Sequence, residues 1–430
     1  MALKEKFASM IPKMRDEWKE LNKTHGEVKI SEVTVGQAYG GMRGVKGMIC
    51  DTSVVEPDKG LIIRGIPLLE GLTEKWPEEI WYLLLTGELP NAAEKKAVTE
   101  EFAKRADIPG YVWDVLNAMP KDSHPMVMFN TAILVMEKES MFRKRYDEGM
   151  PKTEYWDPMY EDSMNLLGKL PGIAAGMYRI RYNKGKPIPY DKSLDWGANY
   201  AHMLGTDSED FYACMRLYLT LHSDHEGGNV SAFSCHTIGS ALSDAYYAVS
   251  GGLNGLAGPL HGLANQECLG WVLDTMKKFG GVPSEKQLHD YALETLTSGR
   301  VVPGYGHAVL RVTDPRFTAF MAFGKQYLAD DPVYKTVALV FKVVPEILAK
   351  EFLGADGKPK VKDPWPNVDA GSGALLYHYG LTEFPYYTVL FSVSRAMGML
   401  SQLTINRALG TPITRPKSVS TAWIKKTVTK

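Results

Sequence analysis

Apolar positions along this chain recur mostly at helical spacing, in stretches closed by proline or glycine. From Thr73 onward, Glu78 to Leu85, Ala92 to Arg105, Met126 to Glu139, Tyr160 to Leu170 and Ile173 to Tyr182 each predict a helix. A different pattern occurs near the start, where Met48-Ile49-Cys50 and Leu61-Ile62-Ile63-Arg64 are short β-prone runs. Between them Glu56-Pro57-Asp58-Lys59-Gly60 carries turn residues, so a small hairpin is expected. Between Asp244 and Glu267 there is no charge, but Gly251, Gly252, Asn254, Gly255, Gly258, Pro259, His261 and Gly262 would break and hydrate a membrane helix. Two buried helices joined by a tight Gly/Pro turn, with His261 at the turn, fit better.

The pattern becomes more charged and loop-rich between Lys277 and Lys362, then returns to a long apolar helix from Tyr386 to Asn406. This predicts a mostly α fold of two domains, residues 1–261 with 375–430 forming the larger and 262–374 the smaller. A cleft between two such lobes is a natural ligand site. No repeat period and no low-complexity linker interrupts the chain.

Composition narrows the function classes. Lysine plus arginine is 49 against 50 aspartate plus glutamate, a net charge of -1, so no broad field attracts nucleic acid or an anionic membrane. Any bound anion has to be caught by locally placed arginines. Cys50, Cys214, Cys235 and Cys268 form no CxxC pair, which points to reduced thiols rather than a disulfide framework or a zinc ribbon. The first residues, MALKEKFASMIPKMRDEWKEL, lack the apolar core of a secretory signal and predict an amphipathic helix of mixed charge. A cytoplasmic location is the default expectation, or the mitochondrial matrix if a presequence has been removed.

Candidate chemistry gathers in a few places. His222 and His225 stand one turn apart beside Asp224 and Glu226. Such a pair resembles a metal site but lines a helix face as readily, and with no third ligand nominated no metal is expected. The run Val301-Val302-Pro303-Gly304-Tyr305-Gly306 lets backbone approach a bulky ligand, and His307, Arg311 and Arg316 follow it. Asp369, after Trp365-Pro366-Asn367-Val368, is either a helix cap or a functional carboxylate. Arg395 interrupts the apolar run Val389 to Leu403; a buried guanidinium keeps its charge, so a carboxylate or an anionic ligand should face it. Arg407 and Arg415 lie beyond it.

Together, HSDHEGGNVSA, GLAGPLHGLANQE, VPGYGHAVLR with TDPR behind it, WPNVDA and SRA…RALG…RPKS resemble citrate synthase, particularly the form found in mitochondria and some bacteria. The likeness runs from about Tyr39 to Ser418. It implies a two-domain helical protomer working as a homodimer that opens and closes around oxaloacetate and acetyl-CoA. Carried over residue by residue, it implies that His261, His307 and Asp369 are catalytic, and that His225, Arg316, Arg395 and Arg415 hold oxaloacetate, with Arg415 reaching in from the partner subunit. Val301 to Gly306 would receive the adenine end of coenzyme A. Arg43, Lys362 and, more loosely, the run Arg143-Lys144-Arg145 would be candidates for its phosphate contacts. Coenzyme A is then a substrate, as its thioester, and no cofactor is permanently bound.

One position departs from the likeness: Gly371 stands where many eukaryotic-type members carry histidine. Three other readings remain. A 2-methylcitrate synthase would use propionyl-CoA, and one methylene is worth only about 1–3 kcal/mol of discrimination. A metal-dependent hydrolase would be built on His222 and His225. A non-catalytic helical scaffold would leave the arginines without an anion.

Overall fold

The computed structural model describes residues 2–307 and 309–429. Helices dominate it, and the only sheet among the described residues is the antiparallel β1-β2-β3, Ser53–Glu56, Gly60–Ile63 and Ile66–Pro67. The expected turn is present, but Met48-Ile49-Cys50 is not its first strand. With Glu56 paired to Gly60 and Ser53 to Ile63, the partner of the 60–63 strand must directly adjoin the turn. The hairpin tip braces the loop that follows His307. Arg311 N donates to Pro57 O (2.8 Å), and a Cβ on Gly60, whose φ is +82°, would sit 2.5 Å from the Pro315 ring. Only glycine tolerates that conformation and that approach.

The centre of the larger lobe is the helix Tyr387–Leu409, buried along nearly its whole length, against which helices Trp156–Arg181, Glu209–His222, Val230–Ser240 and Ala245–Leu256 pack. The expected pair Tyr160 to Leu170 and Ile173 to Tyr182 is one helix, Trp156–Arg181, running through Pro171. Proline removes the bond to the carbonyl four residues earlier. That carbonyl, Leu167 O, instead accepts from the indole Nε1 of Trp196 (2.7 Å), which lets the helix continue. The segment Met126 to Glu139 is shorter than expected, a helix Pro125–Val135 followed by a 3-10 turn Glu137–Glu139.

The charge-free run folds as expected: the helix Ala245–Leu256 ends in a turn, and Ala264–Phe279 begins after it. Ala264–Phe279, Glu285–Thr297, Pro315–Tyr327, Pro332–Lys350 and Asp369–His378 pack on one another as a group. The expected limit at 374/375 falls inside the helix Asp369–His378, which packs with this smaller group throughout. All four cysteines are free thiols, and no described helix is long and apolar enough to cross a membrane.

Candidate active site

His261 is held by the turn after Leu256. Gly262 N donates to Leu256 O (3.0 Å), while Thr388 Oγ1 on the central helix donates to Gly262 O (3.1 Å). A Cβ at 262 would lie 2.3 Å from Leu256 O, so the turn requires glycine. The Ser231 amide points at His261 Nε2 (3.4 Å), with Ser231 Oγ 3.0 Å away. Nε2 is therefore an acceptor, the ring proton sits on Nδ1, and Nδ1 has no protein partner among the described residues. Burial, with Arg395 nearby, brings the imidazole down to about 4, so it is neutral near pH 7.

His307 has the opposite tautomer. Its Nδ1 accepts from the amides of Val309 (3.1 Å) and Leu310 (2.9 Å), which leaves the proton on Nε2. Burial and then Arg316 lower it from its ordinary value. The ring of His225 stands edge-on to it, 6.0 Å between centroids, and burial holds His225 well below the usual histidine range.

Two arginines make this corner positive. Arg395 is 2% exposed, and its polar partners among the described residues are uncharged: His222 O (3.1 Å) and Asn229 Oδ1 (3.3 Å). Burial lowers it to about 10, against the pull of Asp224, so the charge is retained. The Asp224 carboxylate itself is occupied by Ser53 Oγ and Gln402 Nε2, both at 2.8 Å. Arg316 is buried too, but it is forked onto Asp314, Nε to Oδ1 at 3.0 Å and Nη2 to Oδ2 at 2.7 Å. Burial pushes Asp314 up, but Arg316 outweighs it and holds the carboxyl below its ordinary value. Of these two arginines, Arg395 is thus the one with no anionic partner among the described residues.

Asp369 does not cap its helix. It is the first helical residue, Val368 stands at the cap position, and no side-chain bond is made there. Burial pushes its carboxyl up to about 6, against the pull of Arg316. Asn367 performs the capping, accepting from Asp369 N (3.0 Å). The same side chain donates to Gly306 O (3.0 Å) and its backbone N to Gly304 O (2.9 Å), tying Asp369 to the glycine loop and so to His307. At Gly371 a Cβ would come 3.1 Å from the Phe317 ring, so a histidine there would displace that ring.

Electrostatics place these groups in one neighbourhood. Arg395 acts on His225, His261 and Asp369, and Arg316 acts on His225, His307 and Asp369. Beside them Arg300, Val301, Val302, Tyr305, Phe352 and Val361 line a pocket of about 180 Å³. A pocket of about 220 Å³ near Lys75, Trp76, Arg216 and Tyr327 contains none of the site residues.

Other residues lie elsewhere. Arg415 is exposed on the segment after the central helix, and its neighbour Thr414 is bonded to Ser240, nine residues or about 14 Å along the helix from Ser231. Arg43 lies in an exposed turn, and exposed Lys362 adjoins Asp363 beside Gly306. In the run 143–145, Arg143 pairs with Asp147 (3.1 Å) and Arg145 with Glu154 (2.7 Å) and Asp157, so their charges are already met within the chain. His222 donates Nδ1 to Tyr218 O (2.9 Å) and packs on the Tyr218 ring, and among the described residues no three His, Cys, Asp or Glu side chains converge as metal ligands.

Asn229 is a hub that sequence reasoning passed over. Its Oδ1 accepts from Arg395, Ser231 Oγ (2.7 Å) and Ala232 N (3.1 Å), while Nδ2 donates to His225 O (2.9 Å) and Glu226 O (3.0 Å). It joins the arginine, the His225 loop and the seat of His261. A signal was available: asparagine after Gly227-Gly228 and before a helical run reads as a cap.

Known proteins resemble this chain over most of its length. Residues 41–417 match the family model described as "Citrate synthase, C-terminal domain". The mitochondrial citrate synthase of Saccharomyces cerevisiae is 49% identical over 437 residues, covering 100% of this chain and 90% of that protein. Citrate synthase from Pyrobaculum aerophilum superposes with a TM-score of 0.77 at 25% identity, over 89% of this chain and 92% of the other. The ternary complex of Thermoplasma acidophilum citrate synthase with carboxymethyl coenzyme A and oxaloacetate has a TM-score of 0.73 at 22% identity, over 91% and 96%, and shows likeness of fold. With a family model spanning the helical lobes and a relative nearly half identical from end to end, the chain belongs to the citrate synthase family.

Proposed function

We propose that His261, His307 and Asp369 divide the work of citrate synthesis, the activity of the family to which the chain belongs. The carrying observation is a buried carboxyl raised to about 6 that shares Arg395 with one histidine and Arg316 with another, the two rings presenting opposite tautomers. Asp369 takes a proton from the methyl group of acetyl-CoA. The charge developing on the thioester oxygen is met by His261 Nδ1–H, which acts as a neutral donor. The enol carbon then bonds to the ketone carbon of oxaloacetate while His307 Nε2–H gives its proton to the ketone oxygen. Water then returns a proton to His307 Nε2 as it cleaves the citryl-CoA thioester, and the proton held by Asp369 leaves on the coenzyme A thiol, which gives citrate and coenzyme A and resets both residues.

Arg395, with His225 beside it, receives a substrate carboxylate, and Arg316 offers a second fork on the far side of Asp314. A guanidinium matches a carboxylate through two parallel bonds, which suits a dianion. The glycine loop Val301 to Gly306 and its pocket take the adenine end of coenzyme A, with Lys362 and Arg43 near its phosphates. Release of coenzyme A, followed with a thiol reagent, should require oxaloacetate and favour acetyl-CoA over propionyl-CoA by about 10- to 200-fold. Release without oxaloacetate would remove the condensation, and a propionyl preference would move the chain to the methylcitrate branch, which none of the relatives named above represents.

Arg415 completes the site from a second copy. An isolated chain leaves Ile30, Val33, Val230, Phe233, Ile413 and Trp423 exposed, which supports a homodimer. Mixing His261→Ala with Arg415→Ala protomers, at an oxaloacetate concentration too low for either alone to turn over, should restore about a quarter of wild-type activity, since half the dimers are mixed and each carries one intact site. No recovery after subunit exchange would place Arg415 in its own protomer's site or outside any. The mitochondrial relatives favour the matrix over the cytoplasm as its compartment.

Protonation of the base sets the acid limb. Because Asp369 titrates near 6 and must be ionised to accept a proton, kcat/KM for acetyl-CoA should fall as pH drops through about 6. A flat profile between pH 5 and 7 would assign the base elsewhere, since His261 is neutral across this range.

A further inference from the structure

The segment from Thr411 to Ser420 has no secondary structure and carries Arg415 near its middle. Little holds it to its own protomer. At the helix end, Thr411 N bonds to Asn406 O (3.1 Å). The next fixed point is Thr414, whose N donates to Ser240 Oγ (2.9 Å) and whose Oγ1 meets His236 Nε2 (2.8 Å).

His236 is used at both ring nitrogens. Its Nδ1 lies 3.0 Å from the Asn406 amide nitrogen, which can only donate. Nδ1 is therefore the acceptor, and the ring proton on Nε2 is given to Thr414. Burial and then Arg407 lower the imidazole from its ordinary value, which keeps the Nδ1 lone pair available. One side chain thus fastens three pieces: the helix Val230–Ser240, the end of the central helix, and the residue before Arg415.

We propose that His236 is a positioning residue, fixing the point from which Arg415 reaches the oxaloacetate site of the partner subunit. The proposal rests on the reading that Arg415 is contributed across the dimer. Residue 414 is the last anchored residue before the arginine. Losing its bond to His236 frees the guanidinium to sample positions from which it cannot fork onto a carboxylate. His236 itself touches no substrate.

The test compares His236→Ala, Thr414→Val, Arg415→Ala and the His236→Ala/Arg415→Ala double variant, each as the full-length protein with its dimeric state checked by sedimentation. Thr414→Val removes only the hydroxyl, so it carries the test if His236→Ala fails to fold. His236→Ala and Thr414→Val should each raise KM for oxaloacetate by roughly fivefold, the worth of one neutral hydrogen bond. KM for acetyl-CoA should stay within about twofold. His236→Gln, whose amide still offers a donor, should recover much of the loss. In the double variant, oxaloacetate KM should match that of Arg415→Ala alone, because the two residues act in series. If Thr414→Val leaves this KM unchanged while Arg415→Ala raises it, or if the double variant loses additively, the positioning role is overturned. If Arg415→Ala itself leaves the KM unchanged, the reading beneath the proposal fails instead.

Discussion

Asp369→Asn is expected to lower kcat by about three to four orders of magnitude, at the upper end of what a general base contributes. The carboxamide keeps the volume and the start of the helix Asp369–His378, and Asn367 continues to cap it through the Asp369 amide. What it lacks is basicity, and the methyl group of a thioester is too weak a carbon acid to ionise without a base. Oxaloacetate affinity, measured by titration calorimetry, should change by only a few-fold. A second signature has the opposite sign. The folded protein raises this carboxyl to about 6 by burial, so at pH 7 ionised Asp369 works against folding. That penalty disappears below the ordinary carboxylate value, where the group is protonated in folded and unfolded chains alike. The variant should therefore melt no lower than wild type at pH 7, and any gain should vanish on acidification. Substantial residual turnover would show that another group removes the proton.

Arg395→Lys is expected to weaken oxaloacetate binding by at least about thirtyfold, in line with the 2–5 kcal/mol typical of a disrupted buried charge pair. Lysine preserves the charge but not the fork. Its single nitrogen cannot bond His222 O and Asn229 Oδ1 while also gripping both oxygens of a carboxylate. Asn229 transmits the damage, because its Oδ1 also receives Ser231 Oγ at the seat of His261. The KM for acetyl-CoA should therefore rise as well, by a smaller factor. Steady-state kinetics with each substrate varied in turn measure both. Unchanged oxaloacetate affinity would make Arg395 an element of internal packing.

Much of this molecule was legible because long helices announce themselves by period, and because the site residues are anomalies in their surroundings. His261 in a charge-free run and Arg395 in an apolar helix are examples. Failures came where a distant partner overrode a local rule. Pro171 reads as a helix stop, yet the indole of Trp196 takes up the carbonyl it strands. β propensity points to Met48–Cys50 as the first strand, whereas the tight turn demands Ser53–Glu56. Asn229 and Asn367 escaped notice because they act by bonding backbone, which leaves no trace in hydropathy. Of the two readings of Asp369, the helix cap is the one the structure does not show, because Asn367 takes that bond.

The helix Val230–Ser240 constrains how such a protein can change over generations. Ser231 at one end seats a histidine of its own site, and His236 and Ser240 toward the other anchor the segment bearing Arg415. Each added or deleted residue would turn one end relative to the other by about 100° and shift it by about 1.5 Å. An insertion that adjusted one end would misplace the other. This stretch should tolerate substitution on its outer face while admitting almost no change of length, so lineages can alter its chemistry but not its measure.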